Sequence, residues 1–281
     1  MKKTVLFFLL LLISEVVAAQ NAQKLIENLV TPAYNADSVR AVLDKSPYFT
    51  LFKDNYFIGG TTLGSKPDKA DSDVKFQISI SQRITKSQLP FDTYLYIQYT
   101  QKVFWNVLEQ SLPMRDLNFN PGVGLGHLLI HRNRYIGKSY LMLEHESNGK
   151  DSIFSRSWNR LSFGTAIILN KNWEMQFKTW IPFIDSRNNK DILNYNGIFQ
   201  LATNVRTNNR RFNFGVIATK RKKGGSFNSQ WEVSYKFNNK ENQYLFLQYY
   251  NGYAENLLEY NKYTSRIRLG FVIKPQDFSI Y

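Results

Sequence analysis

The chain has no cysteine, only three histidines in 281 residues, and no uninterrupted stretch of 18 apolar residues. The first absence excludes disulfides and thiolate-bound zinc. The third excludes a transmembrane helix, which needs roughly 20 apolar residues to cross the hydrocarbon core. The scarcity of histidine leaves three positions for an imidazole base: His127, His131 and His145. Acidic residues are also outnumbered, 22 against 36 Lys and Arg, for a net charge of +14. Such a surplus suits anionic partners. The start of the chain reads as an export signal: Met1-Lys-Lys, then an apolar stretch, then small residues at Val17 and Ala19. Residues 1–19 are the expected signal peptide. An exported basic protein does not meet nucleic acid, so phosphorylated lipid headgroups are the expected anionic partners.

What the chain has in quantity is aromatic residues, 17 Tyr and 21 Phe, with a mean hydropathy that is nonetheless negative. Outer-membrane barrels combine these features, because lipid-facing apolar residues alternate with polar lumen residues and aromatics ring the two interfaces. Alternation of period two recurs along the chain. Val74, Phe76, Ile78 and Ile80 alternate with Lys75, Gln77, Ser79 and Ser81. Trp231, Val233, Tyr235 and Phe237 alternate with Gln230, Glu232, Ser234 and Lys236. Ile267, Leu269, Phe271 and Ile273 alternate with Arg266, Arg268 and Gly270.

The pattern predicts strands at 56–63, 74–84, 92–104, 119–130, 135–147, 158–169, 172–182, 194–206, 211–221, 226–237, 242–251 and 263–273. The expected fold is therefore all-β, a twelve-stranded antiparallel transmembrane β-barrel of the outer-membrane type. A soluble sandwich accommodates neither the strand count nor an apolar face all round. Tight connections alternate with long ones, and in such barrels the long loops face outside. Residues 20–53 read as a short periplasmic extension, and residues 54–281 as the barrel. Tyr249, Tyr250, Tyr253 and Tyr260 are expected in an interfacial aromatic girdle.

The hairpin 140–160 carries the expected chemistry. His145 and Ser147 lie two apart on a strand, so their side chains share a face. That face also holds Leu141 and Leu143, the apolar side of the strand. A soluble hydrolase would seldom place a nucleophile there; an enzyme attacking lipid would. Asn159 opens the next strand on the same apolar face as Leu161 and Phe163. Antiparallel neighbours on one face approach to about 5 Å. Ser147 as nucleophile, His145 as base and Asn159 as orienting amide can then form a triad. Gly149 can offer a backbone N–H to an oxyanion. Gln101 follows Leu95, Ile97 and Tyr99 on a lipid-facing side, where an unpaired amide is costly.

The stretch His145-Glu-Ser-Asn-Gly149, followed after five residues by Ser155-Arg-Ser-Trp-Asn159-Arg160, closely resembles the signature of the outer-membrane phospholipase A family of Gram-negative bacteria. Val74-Lys-Phe-Gln77, Tyr99-Thr-Gln-Lys102, Pro113-Met-Arg-Asp116, Asn118-Phe-Asn-Pro121, Tyr250-Asn-Gly-Tyr253 and Tyr260-Asn261 extend the resemblance over about residues 46–278. It implies a twelve-stranded barrel in the outer membrane with Ser147, His145 and Asn159 on its outer wall, facing the outer leaflet. Gly149 matches the oxyanion-hole position. It further implies Ca2+ bound where two copies meet. Lys150, through its carbonyl, and Ser155 match ligand positions on one subunit, and Ser111 matches the one supplied by the other. Lys150 stands where the family commonly has Arg. Gln101 matches a position that meets its twin across a homodimer interface. The implied activity is hydrolysis of acyl esters of phospholipids and lysophospholipids, at both acyl positions. Lipopolysaccharide is a further candidate partner. The competing readings are another barrel lipid hydrolase, such as a lipid A deacylase, and a porin-like barrel without chemistry.

Overall fold

The computed structural model describes residues 48–281 except 65, 70, 86–88, 133, 185–186, 223–224, 239–241 and 276–279. The expected signal peptide, and the expected extension up to residue 47, lie outside the described residues.

Among the described residues thirteen strands form one sheet. They are β1 (Phe49–Leu51), β2 (Asn55–Thr62), β3 (Asp73–Arg83), β4 (Thr93–Trp105), β5 (Met114–His131), β6 (Arg134–Ser147), β7 (Ser157–Asn170), β8 (Trp173–Phe183), β9 (Phe199–Arg206), β10 (Phe212–Lys220), β11 (Phe227–Tyr235), β12 (Gln243–Gly252) and β13 (Thr264–Ile273). Every pairing is antiparallel. β13 returns to β2, and β2 pairs β3, which pairs β4, so β2 to β13 close into the expected barrel of twelve. β1 and β2 run along the same edge of β3, as Phe49↔Gln82 to Leu51↔Ile80 and then Tyr56↔Gln77 to Gly60↔Asp73. Between them the Phe52 amide donates to the Ser79 carbonyl at 3.3 Å. The end of the expected extension is thus already sheet.

Two boundaries differ by more than two residues from the sequence reading. β5 starts at Met114 rather than 119, because Met114 to Asn118 continue pairing with β4. Residues 194–198 are not strand: Leu193–Asn196 form a single helical turn, ended by Gly197 at φ 85°.

The alternation divides lipid from lumen. On β3, Asp73, Lys75, Gln77, Ser79, Ser81 and Arg83 are buried, whereas Ile78 is half exposed on the outer face. Buried charges persist only in pairs, and the lumen is organised accordingly. Asp73 accepts from Arg268 at 2.6 Å and from Arg266 and Arg115. Glu255 accepts from Arg268 at 2.6 Å and Lys75 at 3.0 Å. Lys274 pairs with Asp54 at 2.5 Å. Removing one member of such a pair costs about 3–5 kcal/mol. These paired side chains project into the lumen.

Glu255 belongs to the β12–β13 loop, which enters the barrel mouth. The Leu257 and Leu258 amides donate to Asn118 Oδ1 at 3.2 Å and Asp116 Oδ2 at 2.9 Å. Leu257 and Tyr260 pack with Trp158 and Ile192 in a small buried cluster. Tyr250 and Tyr260 are therefore interior residues, which corrects the girdle expectation for these two. They fall on the inner side of the pleat or on the loop that folds inward.

Candidate active site

On β6 the pleat sends Leu141, Leu143 and His145 outward, with Leu143 53% exposed, and buries Met142 and Glu144. β7 runs antiparallel beside it, and the register sets His145 directly opposite Asn159. Their side chains meet at 2.8 Å, His145 Nδ1 to Asn159 Oδ1. With the amide oxygen as acceptor, Nδ1 carries the proton and the lone pair sits on Nε2. Ser147 follows two residues on, half-buried, paired with Ser157 on one side and Phe119 on the other. The three candidate residues thus share one outer face at the loop end of a single hairpin.

The inner side of that hairpin is charged and locked. Arg160 donates to Glu144 at 3.0 Å and to Glu146 at 2.7 Å. Lys178 reaches Glu144 at 3.0 Å, and Ser162 also donates to it. Trp158 Nε1 donates to Glu146 at 3.1 Å, and the Arg160 guanidinium lies 4.5 Å from the Trp158 ring centre. Arg160 accordingly faces the lumen.

The connecting loop, residues 148–156, is held by side chains to which the sequence reading gave no role. Asn148 is buried. Its Oδ1 accepts from the Arg156 amide at 2.9 Å, and its Nδ2 donates to the Phe154 carbonyl at 3.0 Å. Asn189, also buried, comes from the β8–β9 loop and bonds both backbone groups of Ser157, at 3.3 and 2.9 Å. It acts as a surrogate strand partner beside the start of β7. Asn120 Nδ2 donates to the His145 carbonyl at 2.8 Å. Asn148 was visible within the motif, but nothing in the spacing joins Asn189 or Asn120 to the site. Gly149 sits at φ 65°, and a Cβ there would come within 2.9 Å of the Phe119 ring. Only glycine occupies that position without strain.

The loops around the site also hold one another. Tyr260 donates its hydroxyl to Asp191 at 2.5 Å, and the Arg156 guanidinium stands 5.8 Å from its ring centre. Burial, with the Asp191 carboxylate, pushes the phenol up to about 12, so it remains a neutral donor at ordinary pH. Burial alone would raise Glu259, but the Lys262 hydrogen bond and the Arg115 charge hold it below its usual value.

Among the described residues no cluster of three or more His, Asp or Glu could hold a metal ion. Neutral oxygens are then the available donors. Lys150 and Ser155 flank the one-turn helix Ser152–Phe154 in the β6–β7 loop. The Ser155 carbonyl already accepts from Arg156 Nη1 at 2.8 Å, which leaves its hydroxyl and the Lys150 carbonyl. Ser111 is exposed at φ 70° on a different loop, between β4 and β5. Calcium takes six to eight oxygens. This donor set suits such a hard cation but is too small to hold one alone, so it fits as part of a site completed by other oxygens. Gln101 lies on the outer face of β4, with its Oε1 accepting from the Tyr99 hydroxyl at 3.2 Å.

Residues 49–273 match the family model for phospholipase A1. The chain belongs to the phospholipase A1 family. Curated relatives include phospholipase A1 of Salmonella typhimurium and of Escherichia coli, each 29% identical over 72% of this chain and 69% of its own length. The putative phospholipase A1 of Neisseria meningitidis is 26% identical over 78% of this chain and 59% of its own length. Among solved structures, outer membrane phospholipase A from Escherichia coli superposes with a TM-score of 0.73 at 26% identity, covering 81% of this chain and 99% of the other. The calcium-bound dimer from Salmonella typhi gives 0.72 at 26% identity, over 83% and 96%. An Escherichia coli active-site mutant with asparagine changed to alanine gives 0.71 at 26% identity, over 82% and 93%. With its twelve-stranded barrel, this family member is an outer-membrane protein of Gram-negative type.

Proposed function

We propose that this phospholipase A1 family member hydrolyses the acyl esters of phospholipids and lysophospholipids, at both acyl positions, in the outer leaflet. The supporting observation is the 2.8 Å contact between His145 Nδ1 and Asn159 Oδ1 on the lipid-facing wall, with Ser147 two residues away on the same strand. Ser147 Oγ attacks the ester carbonyl while His145 Nε2 takes its proton. Asn159 keeps the imidazole in the Nδ1–H tautomer and stabilises the cation that forms. The Gly149 amide donates to the tetrahedral oxyanion. His145 then returns the proton to the departing alcohol oxygen, leaving an acyl-serine and a lysolipid. Water, deprotonated by the same Nε2, releases the fatty acid and restores Ser147.

The acceptor set of Lys150 and Ser155, with Ser111 of a second copy, would hold calcium, so the working form is a dimer. When bound, calcium supplies positive charge near the developing oxyanion. The Salmonella typhi relative, solved as a dimer with bound calcium, supports this reading, and the asparagine active-site mutant of the Escherichia coli protein supports Asn159. The expected extension, residues 20–53, belongs on the periplasmic side.

The decisive test is Ser147→Ala. It should abolish fatty-acid release from phospholipid micelles and leave a barrel that still migrates as folded before heating. A sulfonylating reagent should label Ser147 in the wild type and no other serine. Near wild-type turnover by Ser147→Ala would refute the nucleophile assignment. Release of acyl chains from lipopolysaccharide in place of phospholipid would favour a lipid A deacylase.

A further inference from the structure

The backbone ladder around the proposed triad is broken on both flanks, and an asparagine side chain fills each break. On the β5 side the register runs Phe119↔Ser147 and resumes at Gly122↔Glu144, which sets Pro121 opposite His145. The His145 carbonyl points toward β5, where Asn120 Nδ2 donates to it at 2.8 Å. An ordinary residue at position 121 would supply that hydrogen from its own amide, but proline has none. Asn120 is buried and adjacent in sequence, and its side chain takes the place of the missing amide.

On the other side β8 ends at Phe183, opposite Asn159. Ser157, two residues nearer the loop, has no partner in that strand, although it faces Ser147 in the β6–β7 register. Its amide and carbonyl point away from β6. The neighbouring Arg156 carbonyl takes the Asn148 amide of the opposite strand at 3.0 Å, and successive residues of a strand hydrogen-bond to opposite sides. Asn189 meets both groups of Ser157, accepting from its amide at 3.3 Å and donating to its carbonyl at 2.9 Å. A primary amide offers the same acceptor and donor as a peptide unit, and Asn189 is fully buried. The two breaks thus fall at His145 itself and at Ser157, which stands opposite Ser147 and two residues before Asn159. Ser147 is the last residue of β6 and Ser157 the first of β7, so the ladder has little beyond them to share the load.

We infer that Asn120 and Asn189 are positioning residues for the ester hydrolysis. Asn120 fixes the backbone of the base, and Asn189 fixes the strand edge that bears Asn159 and the partner of Ser147. Both act through the backbone and touch neither substrate nor the reacting atoms. The inference deepens the proposed hydrolysis and rests on it for the catalytic half of the claim.

The test uses full-length protein in detergent micelles, with folding checked by gel mobility before and after heating. Asn120→Ala and Asn189→Ala should each lower kcat on phospholipid with calcium, with KM little changed. The fall should be about five- to a hundredfold, from the loss of one net hydrogen bond up to the effect of a misplacement of about 1 Å. Sulfonylation of Ser147 should slow in the same proportion. Adding Pro121→Ala to Asn120→Ala returns an amide opposite the His145 carbonyl and should recover most of the kcat; added to Asn189→Ala it should recover nothing. A loss that only follows the fraction of folded protein, or a failure of Pro121→Ala to rescue Asn120→Ala, would overturn the positioning role. A second arm needs no substrate. The Ser157 amide should exchange with deuterium at least about fivefold faster in Asn189→Ala than in wild type. Unchanged exchange would overturn the assignment of Asn189. Should wild type prove inert on phospholipid, the hydrolase reading fails, and the exchange arm still decides whether Asn189 holds the strand edge.

Discussion

Replacing Asn159 with alanine removes one acceptor and leaves the groups that move protons in place. The register His145↔Asn159 is set by backbone pairing of β6 with β7, so the strands stay aligned without the amide. What disappears is the 2.8 Å bond to His145 Nδ1. Between neutral groups such a bond is worth about 1 kcal/mol net, and about 1.5–3 kcal/mol when the donor is charged. The imidazole becomes a cation as it takes the serine proton, so the larger figure applies to the transition state. At 1.4 kcal/mol per decade, kcat/KM should fall about 10- to 150-fold and should not vanish. Asn159→Asp keeps an acceptor at the same place and should recover much of the loss. The assay is the initial rate of fatty-acid release from phospholipid micelles with calcium, with folding checked by gel mobility before and after heating. If Asn159→Ala matched wild type across the pH range, the amide would be a bystander, and some other group would orient His145.

Calcium and association should be coupled, because neither copy offers enough oxygens alone; each should favour the other by mass action. Chelation should lower the cross-linked dimer fraction and turnover together, and Ser155→Asn should weaken the calcium dependence of both; a fully active monomer indifferent to calcium would refute the split site. Gln101→Ala should weaken dimerisation by about 0.6–2 kcal/mol, the range for polar contacts between membrane segments, as read from dimer fraction against protein-to-detergent ratio. An unchanged dimer fraction would assign Gln101 to its contact with Tyr99 alone.

The barrel was legible because period-two alternation is a local signal with a physical cause. In lipid each strand must turn apolar side chains outward and pair its backbone on both sides, so every strand repeats the same pattern. The facing of His145 and Asn159 was legible for the same reason: the offset of two on β6 and the antiparallel course of β6 and β7 fix which side chains share a face. The failures lie where contacts are long-range or the backbone is irregular. Residues 194–198 continue the composition of β9, yet Gly197 ends a helical turn there, and the Trp180 indole donates to its carbonyl at 3.2 Å. Tyr250 and Tyr260 look like girdle residues by type, but the β12–β13 loop turns into the lumen to meet Asp116 and Asn118, some 140 residues earlier. Asn189 supports Ser157 from 32 positions away, with no spacing rule to announce it.

An enzyme with the proposed site on the outer surface of its barrel faces a problem of rigidity. A buried active site is fixed by packing on all sides, whereas here one side is fluid lipid. The pleat itself offers the remedy. His145 and Asn159 are each flanked by inward neighbours one position away: Glu144 and Glu146 beside His145, Trp158 and Arg160 beside Asn159. Those four are bound to one another, by Arg160 to both carboxylates and by Trp158 to Glu146. A shift of β6 against β7 by even one residue would break all of these contacts and reverse the faces of the strand. The buried cluster need not outweigh an apolar core in stability, since buried ion pairs seldom do. What it supplies is registry, and registry is what brings an imidazole and an amide within 2.8 Å on a wall that nothing else holds from outside.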